Sequence, residues 1–351
     1  MKTNVILKNA LVGNTITDVV VREGKIVSFG RVEEDGYDCR GLRLRPGLID
    51  IHTHGCGGFD TMDSPIEEMA LWHRAHGVTS FLPTTMTAPI DALIWVCQVT
   101  PEGEGAHVLG YHLEGPYLAE AAKGAQNGAF LATPNLAEFC CIPNVKMVTI
   151  APELPGAMDF ISNMEGAVVC LGHTVADYDT SREAFERGAR CLTHTCNAMP
   201  SLHHRNTGPI GAALDAGAYA QVICDGIHLH PSMIRILYRL FGRDKMVLIS
   251  DSMSATGLPD GEYSLGGQKV YVREGVARIE GGALAGSTTC LLDCVKCAIA
   301  FGIPEEDAFA MASETPATLL GIKKGKLEVG YDADFILLDE HHNLQETLIF
   351  S

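Results

Sequence analysis

The sequence is short of positive charge. It has 26 Lys and Arg against 43 Asp and Glu, so its formal net charge is −17. A surface of this sign repels phosphate backbones and anionic lipid, and we therefore expect no nucleic-acid or membrane partner. Net charge acts over the whole surface, however, and is screened beyond about 8–10 Å at physiological salt. The net charge therefore does not exclude a small anionic ligand, provided that its binding site supplies positive charge locally.

Long apolar runs are missing as well. No run approaches the roughly 18 residues of a membrane span, and residues 1–13, which include Lys2 and Lys8, lack the apolar core of a signal peptide. The 12 cysteines are numerous, but a chain of 351 residues is too long to need disulfides for its stability. We expect a cytoplasmic protein whose reduced thiols are mostly buried.

Strand-like and helical segments alternate along most of the chain. Helical patterns occur, for example, over 65–76, from 180 onward and over 231–241. Eight short apolar or β-branched runs are typical of strands buried on both faces of a parallel sheet. They are 48–52, 79–83, 107–111, 146–150, 167–171, 190–193, 220–224 and 245–249. This alternation predicts an α/β fold with a (β/α)8 TIM barrel over residues 48–324.

The two ends of the chain show a different pattern. Strand-like runs occur at 4–7, 18–22 and 25–29, with a hairpin signal at 22–25, and again at 334–338 and 347–350. We expect both termini to form a small β-sandwich domain, with residues 1–47 as its N-terminal part and 325–351 as its C-terminal part. Residues 263–284 predict a β-hairpin inserted after the eighth barrel strand.

Ionisable residues follow six of the predicted barrel strands, at the end where barrel active sites are built. They are His52 and His54, Glu114, His173, His194, Asp225 with His228, and Asp251. A single histidine after one strand is more often structural. Ionisable residues after six strands, all at the same end of the barrel, predict a functional site. Four histidines and a glutamate suit Zn²⁺, Fe²⁺ or a similar divalent ion.

Two kinds of role fit Asp251 at this position. A carboxylate beside a metal can take a proton from a water whose pKa the metal lowers. It could instead ligate a metal itself or cap a helix.

A cysteine motif offers a competing metal site. Cys290, Cys294 and Cys297 match the C-x₃-C-x₂-C spacing of iron–sulfur cysteines. The same positions, i, i+4 and i+7, form one face of a helix. Because the surrounding residues are apolar, we expect a buried helical stripe.

Several motifs resemble those of known enzymes. Pro-Gly-Leu-Ile-Asp-Ile-His-Thr-His at 46–54 resembles the first-strand motif of the amidohydrolase superfamily of metal-dependent barrels. Within it, the motifs at 112–117, 123–126, 172–174, 193–200 and 284–287 resemble the N-acetylglucosamine-6-phosphate deacetylase family. The resemblance extends from about Arg45 to Asp339.

The resemblance implies a role for each matching residue. Glu114, His173 and His194 would be the principal metal ligands, and His52 and His54 would hold a second metal. One or two divalent ions per subunit are implied, zinc first, with iron, manganese or cobalt as alternatives. Asp251 would be the catalytic base and acid. The implied substrate-binding residues are Ala125, Gln126, Asn197, Ala198, Arg205, Asp225, His228, Leu284, Ala285 and Gly286.

The implied activity belongs to amino-sugar metabolism. Water activated by the metal would hydrolyse the acetamide of N-acetylglucosamine 6-phosphate to glucosamine 6-phosphate and acetate. Arg205 would reach the phosphate from a neighbouring subunit, which implies a homodimer. The sequence departs from the family pattern at two places. Gln126 stands where some members have a histidine, and the loop 205–208 lacks the proline that often precedes its glycine.

Other functions on the same barrel stay open. They are hydrolysis of the galactosamine epimer, hydrolysis of an N-acyl amino acid, and metal binding without catalysis. Dihydroorotase-, hydantoinase- and urease-like readings are disfavoured, because many such members carry a lysine at the end of strand four. Here Lys146 starts that strand instead.

Overall fold

The computed structural model describes residues 4–101 and 103–351, so residues 1–3 of the predicted small domain lie outside the described range. The strands are β1 (Val5–Val12), β2 (Thr15–Arg22), β3 (Lys25–Phe29), β4 (Tyr37–Asp38), β5 (Arg43–Pro46), β6 (Leu48–Thr53), β7 (Gly55–Cys56), β8 (Phe59–Asp60), β9 (Val78–Thr85), β10 (His107–Val108), β11 (Tyr111–Glu114), β12 (Val145–Ile150), β13 (Val168–Leu171), β14 (Cys191–Leu192), β15 (Tyr219–Ile223), β16 (Met246–Ile249), β17 (Gly261–Leu265), β18 (Gln268–Arg273), β19 (Val276–Ile279), β20 (Asp334–Leu338) and β21 (Leu344–Ile349). The α-helices are α1 (Ile66–Ala75), α2 (Ile90–Val96), α3 (Leu136–Phe139), α4 (Ala157–Ser162), α5 (Tyr178–Glu186), α6 (Gly208–Ala216), α7 (Pro231–Phe241), α8 (Leu291–Ala300), α9 (Glu305–Met311) and α10 (Glu314–Leu320).

Both ends of the chain enter one seven-stranded sheet of order β21-β20-β5-β1-β2-β3, with β4 paired to β1. The predicted hairpin is present, with Arg22 opposite Lys25. The free edge of β3 turns back to the segment before β20, where Ile26 N–H donates to Tyr331 O at 3.0 Å. The termini thus form a separate small β domain, as predicted, although its strands belong to one continuous curved sheet.

Eight parallel strands form the barrel, in the order β6, β9, β11, β12, β13, β14, β15 and β16. The last strand meets the first, because Asp251 N–H donates to His52 O at 2.9 Å and Thr53 forms a parallel bridge with Ser252. Apolar side chains on the outside of the strands pack against the helices in the largest buried core of the described residues. The predicted TIM barrel is confirmed.

Three local predictions need correction. The third barrel strand is Tyr111–Glu114 rather than 107–111, because Gly110 at φ +129° separates it from the short β10. Helix α5 begins at Tyr178 rather than 180, since the Asp177 carboxylate caps it by accepting from Thr180 N–H at 2.9 Å. The insertion after β16 is a three-stranded antiparallel sheet, β17–β19, rather than a single hairpin.

Most of the cysteines are buried, although Cys140 and Cys141 are exposed. Cys294 is fully buried on α8, and all 12 cysteines, which lie within the described residues, are free thiols. The predicted buried stripe is found in part: Cys294 and Cys297 lie in α8 and Cys290 is its N-cap, but Cys290 and Cys297 are only half-buried. Among the described helices, none is long and apolar enough to cross a membrane.

Candidate metal centre

The C-terminal ends of the barrel strands bring six ionisable side chains into one buried cluster. They are His52, His54, Glu114, His173, His194 and Asp251, none more than 6% exposed. His173, His194 and Asp251 follow their strands in the left-handed backbone region, at φ +47°, +25° and +49°. Non-glycine residues rarely adopt this region and pay about 1 kcal/mol or more for it, a cost often found at functional sites.

Glu114 lies at the centre of the cluster. Its Oε1 is 2.9 Å from His194 Nε2 and 3.2 Å from His173 Nε2, and its Oε2 is 3.2 Å from His54 Nε2. His52 Nε2 is 3.5 Å from Glu114 Oε1 and 3.2 Å from His54 Nε2. Two groups of three ligands therefore share Glu114, and within each group the ligand atoms lie within 4.8 Å of one another.

The hydrogen bonds of the His54 and His173 rings orient both rings for metal binding. His54 Nδ1 lies 3.1 Å from Thr84 O, and His173 Nδ1 lies 2.8 Å from Ala122 O. A carbonyl oxygen only accepts hydrogen bonds, so Nδ1 carries a proton in both rings, and Nε2, which faces Glu114, is the nitrogen available to ligate a metal. Metal-ligating histidines in proteins are oriented by this kind of contact. The donor set therefore suits a divalent ion such as Zn²⁺.

The charges in the cluster are strongly coupled. Burial by itself would raise the pKa of Glu114, but the neighbouring His52 and His173 hold that pKa well below its usual range. Burial would lower the pKa of His54, yet Asp251 and Glu114 raise it to about 10. For Asp251, burial is again opposed, and the charge of His52 and a hydrogen bond with His54 lower the pKa to about 2. Two buried carboxylates thus demand positive charge, from protons or from a metal.

A cavity of about 350 Å³ opens above the cluster, with His54, Glu114, His173, His194 and Asp251 in its wall. Its size is within the range of small-molecule sites. Seven of the residues predicted to bind substrate also line it: Ala125, Gln126, Asn197, Ala198, His228, Leu284 and Gly286.

Three predicted substrate residues lie elsewhere in this chain. Ala285 is fully buried among apolar side chains that include Met253 and is not among the residues that line the cavity, whereas its neighbours Leu284 and Gly286 are. Arg205 lies in an exposed loop, with Nη1 2.6 Å from His204 Nε2, and does not reach the cavity of its own chain. Asp225 lies behind the wall and acts through another residue.

Asp225 holds His228 in place. Its carboxylate accepts from His228 N–H at 2.9 Å and from the ring Nδ1–H at 2.7 Å. Burial would lower the pKa of His228, but the hydrogen bond and charge of Asp225 raise it. Asp225 therefore favours the protonated form of this ring more than burial alone would allow.

Gln126 has an unexpected partner. Its amide Nε2 donates to Glu114 Oε2 at 2.6 Å, and its Oε1 accepts from Thr87 N–H at 2.7 Å. Gln126 lines the cavity as predicted, but it also orients the central carboxylate.

Some residues at the site were missed by sequence reasoning. Met86, Leu265 and Ala283 line the cavity, the last two from the inserted sheet and its following loop. The hairpin signal at 263–284 followed the eighth strand directly, and this position could have indicated a wall of the site. Gln221, buried below His52, was also missed, because a glutamine inside a strand carries no metal-ligand signal.

Comparisons with known proteins identify relatives of this chain. The sequence model of the amidohydrolase family matches residues 43–351. The chain is 38% identical over 339 residues to an N-acetylglucosamine-6-phosphate deacetylase from Vibrio furnissii, covering 91% of this chain and 85% of that protein. It is 37% identical over 325 residues to an N-acetylgalactosamine-6-phosphate deacetylase from Escherichia coli, covering 87% and 86%.

A solved structure extends the comparison to the fold. A mutant N-acetyl-D-glucosamine-6-phosphate deacetylase from Mycobacterium smegmatis, in complex with N-acetyl-D-glucosamine 6-phosphate, matches with a TM-score of 0.90. The two chains are 30% identical, and the match covers 99% of this chain and 98% of that one.

Proposed function

This chain belongs to the amidohydrolase family, and from that premise we propose that it hydrolyses the acetamide group of N-acetylglucosamine 6-phosphate. The products are glucosamine 6-phosphate and acetate. The observation that carries the proposal is the buried cluster of four imidazole nitrogens and Glu114, with Asp251 beside it, on the wall of a cavity of sugar-phosphate size.

The cluster is a site for divalent metal. Glu114, His173 and His194 form one set of ligands, and His52 and His54 form a second set with the same glutamate. Zinc is the ion that this mixture of imidazole and carboxylate ligands favours, and one or two ions fit the two sets. When bound, a divalent ion supplies Lewis acidity that polarises the acetyl carbonyl and lowers the pKa of water.

Asp251 is the proposed general base and acid. Its Oδ1 lies 3.4 Å from His54 Nε2 and 3.5 Å from His52 Nε2, directly beside both ligands. With its pKa lowered to about 2, the side chain is a carboxylate at neutral pH and can accept a proton. It takes that proton from the attacking water and passes it to the amine nitrogen as the carbon–nitrogen bond breaks.

The remaining cavity residues hold the substrate. Gln126, next to Glu114, is placed to donate its second amide N–H to the acetyl oxygen. Asn197, Ala198 and His228 lie along the wall and are proposed to bind the sugar phosphate, with the His228 ring donating to an anionic group.

Arg205 is proposed to complete the phosphate site in a homodimer. The loop that carries it is exposed, and the arginine does not reach the cavity of its own chain. A partner subunit's arginine would supply the local positive charge that a chain with a net charge of −17 otherwise lacks.

Two further proposals concern the whole chain. We propose the division into 1–47 and 325–351 as the small β domain and 48–324 as the barrel, supported by the change of sheet between Pro46 and Leu48. A cytoplasmic location is proposed because all 12 cysteines are free, as expected in a reducing compartment.

A second candidate is the galactosamine epimer, because a relative named for that substrate is 37% identical. The test is the rate of acetate release from both epimeric 6-phosphates, from unphosphorylated N-acetylglucosamine and from an N-acyl amino acid. We expect the highest kcat/KM for N-acetylglucosamine 6-phosphate. A higher value for the galactosamine epimer would favour the second candidate, and a lack of phosphate dependence would contradict both.

A further inference from the structure

Gln221 is a buried side chain on β15 that lies below the metal cluster. Its exposed fraction is zero, although glutamine is a polar residue. Its Oε1 is 3.0 Å from His52 Nδ1 and 3.4 Å from the backbone N of His194. The residue thus contacts one member of each ligand set without touching the cavity.

The orientation of this amide follows from its neighbours. The backbone N–H of His194 can only donate, so the Gln221 atom that faces it must be the oxygen. The same oxygen faces His52 Nδ1, which must therefore carry its proton on that nitrogen. Nε2 is then the His52 nitrogen available to ligate a metal, and it points toward His54 Nε2 at 3.2 Å and Glu114 Oε1 at 3.5 Å.

His52 differs in this respect from the other ligands. His54 and His173 are oriented by the backbone carbonyls of Thr84 and Ala122, which no substitution removes. His194 Nδ1 has no hydrogen-bond partner among the described residues. Only the tautomer of His52 is therefore set by a replaceable side chain.

The other close neighbour of His52 cannot take over this task. The ring of His112 packs edge-on against His52, with centroids 4.6 Å apart and planes at 83°. Its Nε2 is hydrogen-bonded to Thr149 Oγ1 at 2.8 Å. His112 restricts the position of the His52 ring by packing, but it leaves the choice of tautomer to Gln221.

We propose that Gln221 is a positioning residue that fixes His52 as a metal ligand and so determines whether the His52–His54–Glu114 position holds a cation. The position formed by Glu114, His173 and His194 does not depend on it in the same way. The His194 ring keeps its own contacts with Glu114 at 2.9 Å and with His173 at 3.0 Å. The inference rests on the proposed metal centre and is independent of the substrate.

The test compares Gln221→Met, which keeps the volume but removes the acceptor, with Gln221→Glu, which keeps an acceptor oxygen. Ser80→Ala serves as the control, since Ser80 is equally buried in the barrel and its hydroxyl has no hydrogen-bond partner among the described residues. Zinc per chain is measured at defined free Zn²⁺, with affinities from chelator competition. Histidine ring ¹⁵N spectra report the His52 tautomer.

We expect two zinc ions per chain in the wild type, the control and Gln221→Glu. Gln221→Met should hold one at free zinc that saturates the wild type, because loss of such a partner weakens metal binding by about 10–100-fold. If Gln221→Met fails to fold, judged by circular dichroism, Gln221→Ala carries the same expectation.

The proposal is overturned if the wild type never exceeds one zinc, or if Gln221→Met keeps both with unchanged affinity. It is also overturned if Gln221→Met loses both ions equally, or if Gln221→Glu behaves like Gln221→Met. A wild type that binds two zinc ions but releases no acetate from the sugar phosphates would refute the proposed reaction and leave this inference standing.

Discussion

Replacement of Asp251 by asparagine removes the proposed proton acceptor and changes the shape of the site very little. The two side chains have nearly the same volume, and asparagine tolerates the left-handed backbone that Asp251 adopts at φ +49°. The backbone bond from N–H of residue 251 to His52 O at 2.9 Å does not involve the side chain. Fold, metal content and substrate affinity should therefore be retained.

The size of the expected effect follows from the surroundings of Asp251. Positioned acid–base groups contribute about 10²–10⁴-fold to a rate, or roughly 3 to 5 kcal/mol of activation free energy. The side chain is only 9% exposed, so bulk water cannot readily replace it. We expect kcat of Asp251→Asn to fall by at least about a hundredfold, while KM changes little.

The assay is acetate release from N-acetylglucosamine 6-phosphate, with metal content and thermal midpoint measured on the same preparation. Asp18→Asn is the control, since Asp18 is a fully buried carboxylate in the small sheet, far in the fold from the cluster. The control should keep its kcat despite lower stability. An Asp251→Asn protein that binds metal and turns over within about tenfold of the wild type would refute the role of Asp251.

Three further predictions address other parts of the molecule. Asp225→Asn removes the carboxylate that raises the pKa of His228 against the effect of burial. Without it, the His228 ring loses its proton at lower pH, so KM for the phosphorylated substrate should rise at neutral pH. An unchanged pH profile of KM would contradict this role of Asp225. Burial alone would raise the pKa of Asp18, but hydrogen bonds from a lysine and two backbone amides hold it below its usual range. Its stabilisation is then complete above about pH 4 and is lost as the pH falls through the folded-state pKa. Asp18→Asn should therefore lower the free energy of unfolding in urea by about 1–3 kcal/mol at pH 7 and by less at pH 3, and equal stability at pH 7 would count against the network. Arg205→Ala and Asp251→Asn chains should each be nearly inactive alone but regain acetate release when co-expressed, because a mixed dimer contains one complete site; failure to complement would argue against an arginine shared between subunits.

The strand-end chemistry was predictable because it depends on spacing. Two histidines separated by one residue lie on the same side of a strand, and His52 and His54 indeed have their Nε2 atoms 3.2 Å apart. The barrel then brings together residues that are far apart in sequence, since all its parallel strands end at one face. Glu114 at the centre of the cluster follows from this rule.

Other features could not be predicted because backbone atoms and distant contacts decide them. The apolar pattern runs through Gly110 without a break, yet its positive φ moves the third strand to Tyr111–Glu114. The ligand partners Thr84 O and Ala122 O are main-chain atoms, which no residue type reveals. The contact between Gln221 and His52 joins two strands that are far apart in the sequence, so no local pattern indicates it.

The most direct test of a metal-dependent deacetylase is a metal titration of chelator-treated protein, with acetate release from N-acetylglucosamine 6-phosphate followed at each step. We expect no turnover without metal and activity that rises in proportion to the divalent ions bound by the cluster. Full activity in the metal-free protein, or none in the fully loaded protein, would contradict it.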